Sequence, residues 1–462
     1  MSIRVLFLLC LAVPSWLKSA ELKLQTVLDC VKGKYPPYLM ALIERDVAAG
    51  RLRQAQGAFD LNFLARGSLT PSGYYDGRSG DFVFEQPLPF WGGNVFAGYR
   101  VSSGPLADYD KSRTQIDGEV RAGIRLNLLR DGVIDSRRAT LWKARLDQEL
   151  ADPFIQRQRI DILRAAIRAY YNWVAMGLRL GVTEELQGIA RDRDKGIAEL
   201  VERGQVAPII KVDNERLVIS RNIAVVQARR RFEAAGIELS LFHRDAKDEP
   251  RIPARNELPK NLPQSLLMAE KQLGADIVSA FARRPELRRI ALVMDKLGID
   301  KRLAQNALMP HLDLTASVAE NLSSGPYKDR DETEASVGIE LRIPLQRNEA
   351  KGRLQATNAE LERLAADAQF ARERIVAEVR DAWSAQKAAA EQIGQTSRNV
   401  ELAWQLEEAE NKRFQQGAAD LFALQIREQA TADARLLEVD ARADFFRAFA
   451  DYQAATGILA EP

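Results

Sequence analysis

The stretch that decides the fold is Ala335 to Arg347, "ASVGIELRIPLQR". Ala335, Val337, Ile339, Leu341, Ile343 and Leu345 alternate with Ser336, Gly338, Glu340, Arg342 and Pro344. A period of two, apolar on one side and polar on the other, is a β-strand with two different faces. The strand then runs directly into a segment with no helix breaker until Gly394 apart from Gly352. The same junction occurs earlier, at Glu119 to Asp131, "EVRAGIRLNLLRD", where Val120, Ala122, Ile124, Leu126 and Leu128 alternate with Arg121, Gly123, Arg125 and Asn127.

The echo belongs to an internal repeat with a period of about 220 residues. "KYPPYLMALIERD" from Lys34 aligns with "RRPELRRIALVMD" from Arg283, and Pro36 falls on Pro285. Gly123 aligns with Gly338, Arg138 with Arg353 and Ala144 with Ala359. Gly204 and Gly417 share a position in "ERGQVAPII" and "QQGAADLFA". The repeats are expected at residues 21–242 and 266–457, joined by a charged, proline-rich linker at 243–265 and followed by a short tail at 458–462.

Each repeat reads as helix, strand, loop, strand, very long helix, turn, helix. Strands are expected near 60–70 and 119–128 in the first and near 311–320 and 334–345 in the second, with long helices at 134–203 and 349–416 and shorter ones at 208–241 and 420–456. Single helices are also expected ahead of the strands, at Pro37 to Ala58 and Gln272 to Ala307. Seventy helical residues span about 105 Å, a length that belongs to a coiled coil or a helical tube. Pro153 should kink the first long helix.

The chain has 462 residues, a formal net charge of +2 and 28% charged residues, so nucleic acid is not an expected partner. Residues 1–20 read as a secretory signal, with Arg4 ahead of a short apolar run and small residues near Ala20. Beyond them only Cys30 remains, which excludes an intramolecular disulfide. No later stretch supplies 18 uncharged apolar residues. Two histidines, His243 and His311, stand far apart, and no metal spacing, phosphate loop or nucleophile elbow is present. The expectation is no cofactor, no metal and no enzyme.

The two-faced strands fit either a half-buried antiparallel sheet or the wall of a membrane barrel, which needs about 9–11 residues per strand. An export signal and the shortage of sequence to cover the apolar face favour the barrel. An open edge is not viable in lipid, so four strands per chain call for several copies. Three give twelve. Tyr74, Tyr75, Phe90, Trp91, Tyr109 and Tyr327 lie near strand ends, where interfacial anchors belong.

With the repeat, "RPEL" at Arg284, the junction at Gly338–Arg353, "RFQQGAADLFALQIREQ" at Arg413 and "AFADYQAATG" at Ala448, nearly the whole chain resembles the TolC-like outer membrane efflux proteins. The resemblance implies a mainly α fold with β: a homotrimeric outer-membrane β-barrel continuous with a long periplasmic α-helical barrel, built from two tandem repeats per chain. It implies a passive exit channel in a tripartite efflux or type I secretion system. Its partners would be a periplasmic adaptor, an inner-membrane transporter of the resistance–nodulation–division or ATP-driven (ABC) type, and outer-membrane lipid. Arg203, Gly204 and Pro208 at one tip and Phe414, Gly417 and Asp420 at the other match the family's adaptor-docking turns. Where some members carry acidic rings beyond the second glycine, this chain has Ala423 and Ile426, leaving Asp420, Asp213 and Glu215 as candidates for a pore constriction. Arg121, Arg125, Glu340 and Arg342 would face the barrel lumen. The alternative is a soluble periplasmic coiled-coil adaptor or structural protein, argued against by two hairpins that each follow a strand pair.

The first strand–strand connection, Thr70 to Gly118, is far longer than the second. Inside it "FVFEQPLPFWGGNVFAGYRV" reads as a further hairpin turning at Gly92–Gly93. Either it stands outside the wall, the favoured expectation, or residues 81–103 add two strands, making eighteen in a trimer.

Overall fold

The computed structural model describes residues 21–73, 76–104, 113–264 and 272–460. The signal segment therefore lies outside the described residues, as do Tyr74, Tyr75 and Tyr109. The order is α1 (Leu24–Lys34), α2 (Pro36–Gln56), β1 (Asn62–Thr70), β2 (Gly77–Pro87), β3 (Asn94–Ser103), β4 (Glu119–Asn127), α3 (Ser136–Glu202) and α4 (Pro208–Ser240). Then come α5 (Leu273–Arg283), α6 (Pro285–Asn306), β5 (His311–Asn321), β6 (Glu334–Arg342), α7 (Asn348–Gln415) and α8 (Leu421–Ala455).

The expected helix at Pro37 to Ala58 is present as α2, whereas the one expected at Gln272 to Ala307 is broken in two; prolines set both boundaries. Gln272 to Ala307 is divided at Arg284, which is extended (φ −73°, ψ 121°) because the ring of Pro285 disfavours the helical region for its predecessor. Tyr35 does the same ahead of Pro36, with φ −78° and ψ 115°. Each proline then opens the next helix, where its missing N–H costs nothing. Pro153, by contrast, lies inside α3, which runs unbroken for 67 residues. At 1.5 Å per residue α3 and the 68-residue α7 are each about 100 Å long.

The chain forms two compact units. One holds the described residues of Met1–Met40, Arg157–Arg284 and Ile375–Pro462; the other holds Ala41–Gln156 and Pro285–Arg374. The first has an aromatic core. Trp173, Phe445 and Tyr452 are among its fully buried side chains, Tyr171 stacks on Phe446 at 4.4 Å between centroids, and Trp173 lies 6.0 Å from Phe232. Two of the tyrosine hydroxyls find partners: Tyr170 donates to the Leu22 carbonyl (2.8 Å) and Tyr452 to Asp276 (2.5 Å). Burial raises the Tyr170 and Tyr452 hydroxyls well above the usual phenol range and pushes Tyr171 up to about 12. All three stay neutral in any ordinary buffer.

The second unit contains a six-stranded antiparallel sheet in the order β1-β2-β3-β4-β5-β6. This corrects the expectation of a hairpin outside the sheet. β1 pairs with β2 along the whole length of β1, from Asn62↔Glu85 to Thr70↔Gly77, and β3 pairs with β4 from Asn94↔Arg125 to Arg100↔Glu119. The physical reason is face matching. Phe82 and Phe84 fall on the side of Phe63 and Ala65, and Asp81 falls on the side of Arg66, so insertion preserves both faces. The hairpin turns through Trp91 and Gly92, at φ 54° and 56°, a pair of left-handed residues typical of tight β-turns. Gly92 is obligatory there, since a Cβ would sit 1.8 Å from the Asp131 carbonyl oxygen. Of the remaining aromatics near strand ends, Phe90 and Trp91 are exposed in this turn and Tyr327 packs under Arg113 at 4.5 Å.

Candidate functional site: a two-faced wall and two helical tips

The side chains of the sheet divide by parity into an apolar face and a face that holds most of the charges, with Leu64, Val83 and Phe96 the large apolar exceptions on the second. One face carries Phe63 and Ala65, Phe82 and Phe84, Val95 and Ala97, Ala122 and Ile124, Leu314 and Ala316, and Val337 and Ile339 on the six successive strands. It is exposed: Val337 is 74% and Ile339 69% accessible, and Phe63, Phe82 and Phe84 are exposed beside them. Phe63 and Phe84 touch across β1 and β2, with centroids 4.9 Å apart. A water-facing sheet does not spend its largest apolar residues this way, and a patch across six strands signals contact with an apolar environment.

The other face is polar. Arg121, Arg125, Glu340 and Arg342 all lie on it, as read from the register. Arg121 donates one amino group to both Asp81 oxygens, at 2.7 and 2.6 Å, across the intervening β3. Arg100 reaches Glu119 at 3.3 Å and Asp81 at 4.0 Å, so two arginines and two acids form one network on β2, β3 and β4. Glu340 and Arg342 pair with each other at 2.6 Å, exposed. Asp81, Arg100 and Glu119 lay outside the expected set, because two of them belong to the hairpin that was expected elsewhere.

In the other unit, α3 and α4 form one hairpin and α7 and α8 another. The two turns are built alike. Gly204 is left-handed (φ 65°) and donates to the Val201 carbonyl at 2.9 Å, while the Gln205 N–H reaches back to Leu200 at 2.9 Å. Gly417 (φ 70°) donates to Phe414 at 3.0 Å, and Ala418 to Arg413 at 2.8 Å. Both are Schellman closures, satisfying carbonyls that the helix end would leave unpaired. Pro208 then opens α4, and Asp420 caps α8 by accepting the Ala423 N–H at 2.7 Å. The structure thus commits one carboxylate oxygen of Asp420 to its own helix. Phe414 is partly exposed, and Arg203 lies 3.9 Å from Glu199. Asp213 and Glu215 are exposed beside Arg216 (3.5 Å) and Lys211 (3.9 Å).

Sequence reasoning missed the charge cluster above these turns. Glu428 on α8, 5% exposed, accepts from both amino groups of Arg193 on α3, one at 3.1 Å, and lies 3.7 Å from Arg221 on α4. Arg221 is also 5% exposed and donates to the Leu186 carbonyl at 2.7 Å. Burial pulls the Arg221 guanidinium below its ordinary value, while Glu428 pulls it back up. A signal existed. Asn214, Arg221, Val225, Phe232 and Leu239 are all buried on α4, so Arg221 occupies a seam position in a heptad-like series where apolar residues belong.

Among the described residues, no group of His, Cys, Asp and Glu could hold a metal, and no helix is long and apolar enough to cross a membrane.

A long helical-hairpin protein with a two-faced antiparallel sheet is the architecture of outer-membrane channels, and comparison with solved structures bears this out as a fold. The open-state Neisseria gonorrhoeae MtrE outer membrane channel superposes with a TM-score of 0.68 at 15% identity, over 94% of this chain and 88% of that one. The Campylobacter jejuni CmeC outer membrane channel gives 0.65 at 14%, over 94% and 85%. The outer membrane protein VceC of Vibrio cholerae gives 0.65 at 13%, over 94% and 96%. Residues 277–457 match the model of the outer membrane efflux protein family. The resemblance read from the sequence is thereby borne out. No curated protein sequence matches the chain.

Proposed function

We propose that the chain is one subunit of a homotrimeric outer-membrane exit channel, a passive conduit without catalytic chemistry. The observation that carries this reading is the sheet: an exposed apolar face, a charged opposite face, and strands of 9 to 11 residues that match a bilayer's hydrocarbon thickness. On this reading Arg121, Arg125, Glu340 and Arg342 line the lumen. The long helical hairpins of the tandem repeats form a periplasmic tube, as their length and the fold of the channel relatives support. The two glycine turns dock a periplasmic adaptor, and an inner-membrane RND or ABC transporter supplies substrate and energy in a tripartite efflux or type I secretion assembly. Asp420, with Asp213 and Glu215, narrows the closed end.

Fractionation tests the core of the reading. The protein is expected in the outer membrane, with heat-modifiable migration and ion conductance in planar bilayers. Release by osmotic shock and no conductance would instead favour a soluble periplasmic adaptor.

A further inference from the structure

We propose that the β2–β3 hairpin spans the membrane as part of the channel wall, and that three copies, joined β6 to β1, close it as an eighteen-stranded barrel. This rests on the channel reading above and concerns how wide the channel's wall is.

The hairpin has the height of the wall. β2 and β3 contain 11 and 10 residues, no shorter than β1, β4 and β6 with 9 each; β2 pairs with β1 from Gly77 to Glu85 and β3 with β4 from Asn94 to Arg100. Its faces also continue those of the wall. Phe82, Phe84, Val95 and Ala97 extend the apolar surface, and Asp81 and Arg100 sit in the charged network of the polar one. A hairpin standing in water beyond the membrane has no reason to carry exposed phenylalanines on the lipid side alone.

Width supports the same assignment. Strands 4.8 Å apart and tilted about 40° each take roughly 6 Å of circumference. Six therefore cover about 37 Å. The same unit contains four long-helix segments, parts of α2, α3, α6 and α7. At about 9–10 Å per helix these also cover about 36–40 Å. Four strands would cover only about 25 Å.

Both outer edges of the sheet lack a partner strand among the described residues, a state that lipid does not tolerate. A second copy fits them. Six is even, so β6 of one copy and β1 of the next run antiparallel. β1 offers Phe63, Ala65 and Leu69 on the apolar side with Arg66 opposite; β6 offers Val337, Ile339 and Leu341 with Glu340 opposite. A register that keeps the faces continuous sets Arg66 and Glu340 on the same polar side, opposite in charge. Because barrel diameter grows about linearly with strand number, eighteen strands enclose roughly twice the cross-section of twelve.

The test uses the full-length protein with Cys30→Ser, reconstituted as a trimer in vesicles. Single cysteines replace Asp81, Phe82, Phe84 and Glu85 on β2 and, for reference, Val337, Gly338 and Ile339 on β6. Each carries an environment-sensitive fluorophore. Positions 82 and 84 are expected to lose fluorescence to a spin-labelled lipid, and 81 and 85 to aqueous iodide, in step with β6. If β6 alternates but all four β2 positions quench only from water, the hairpin lies outside the bilayer and this proposal falls while the channel reading stands. If β6 fails to alternate as well, the channel reading falls with it. A bifunctional maleimide across Arg66→Cys/Glu340→Cys should give covalent dimers and trimers on denaturing gels. Monomers alone overturn the β6–β1 seam.

Discussion

Replacing Glu428 with Gln removes the carboxylate that Arg193 and Arg221 share while nearly preserving its shape. Arg221 is 5% exposed, so its guanidinium cannot regain full hydration, although it keeps the Leu186 carbonyl. Arg193 is more accessible, with 14% of its side chain exposed, and recovers some water. Breaking one partner out of a buried pair costs about 3–5 kcal/mol, and the accessibility of Arg193 places this case near 3. For a unit of some 250 residues each kcal/mol moves the midpoint by about 2–4 °C, so thermal melting of the helices should fall by roughly 6–12 °C. Circular dichroism of the detergent-solubilised protein, at matched concentration because assembly shifts apparent stability, reads the change. Replacing the whole cluster (Arg193→Met, Arg221→Met, Glu428→Leu) should recover most of it, since well-packed apolar groups substitute for buried ion pairs. A Glu428→Gln protein within about 1 kcal/mol of the parent, the value of an exposed pair, would refute the reasoning. The cluster would then be hydrated.

Gly92→Val should abolish heat-modifiable folding, because the new Cβ overlaps the Asp131 carbonyl and the left-handed backbone disfavours a branched residue; normal migration would show that the turn can move. Asp420→Ala should cost about 1 kcal/mol as a lost helix cap, whereas Asp420→Asn should keep the cap. If conductance and cation block are unchanged in Asp420→Asn, the residue has no electrostatic part in a constriction. His243 is 4% exposed and burial holds its pKa below the ordinary value. The folded state therefore binds fewer protons than the unfolded one. That stability is complete above about pH 6.5 and falls below it by up to about 1.4 kcal/mol per pH unit. His243→Leu should flatten the melting temperature between about pH 7 and 5; an unchanged slope would assign the pH dependence elsewhere.

The strand–helix junctions were legible because each pattern is local. Alternation in "ASVGIEL" needs no knowledge of its partner strand, and glycine with a following cap marks both helical tips. Tertiary matching was not legible. The sequence shows that "FVFEQPLPFWGGNVFAGYRV" is a hairpin, but only pairing with Asn62–Thr70 and Glu119–Asn127 decides that it enters the sheet. The break at Arg284 was visible as an X-Pro step and was outweighed by the helical pattern on either side. The Glu428 cluster joins residues from three helices, so its members are separated by up to 235 positions and each looks like an ordinary surface charge alone.

The hairpin inserts two strands, and the number matters more than the residues. One added strand would reverse the direction of every strand after it and leave the chain's next helix at the wrong end. Two restore both direction and facing, so β4 meets β3 much as it would meet β1. A wall of this kind can be enlarged by a single insertion between Thr70 and Glu119, without altering the strands on either side. On the channel reading, bore size thereby becomes a quantity that one loop can vary in evolution, while the helices and their turns stay as they are.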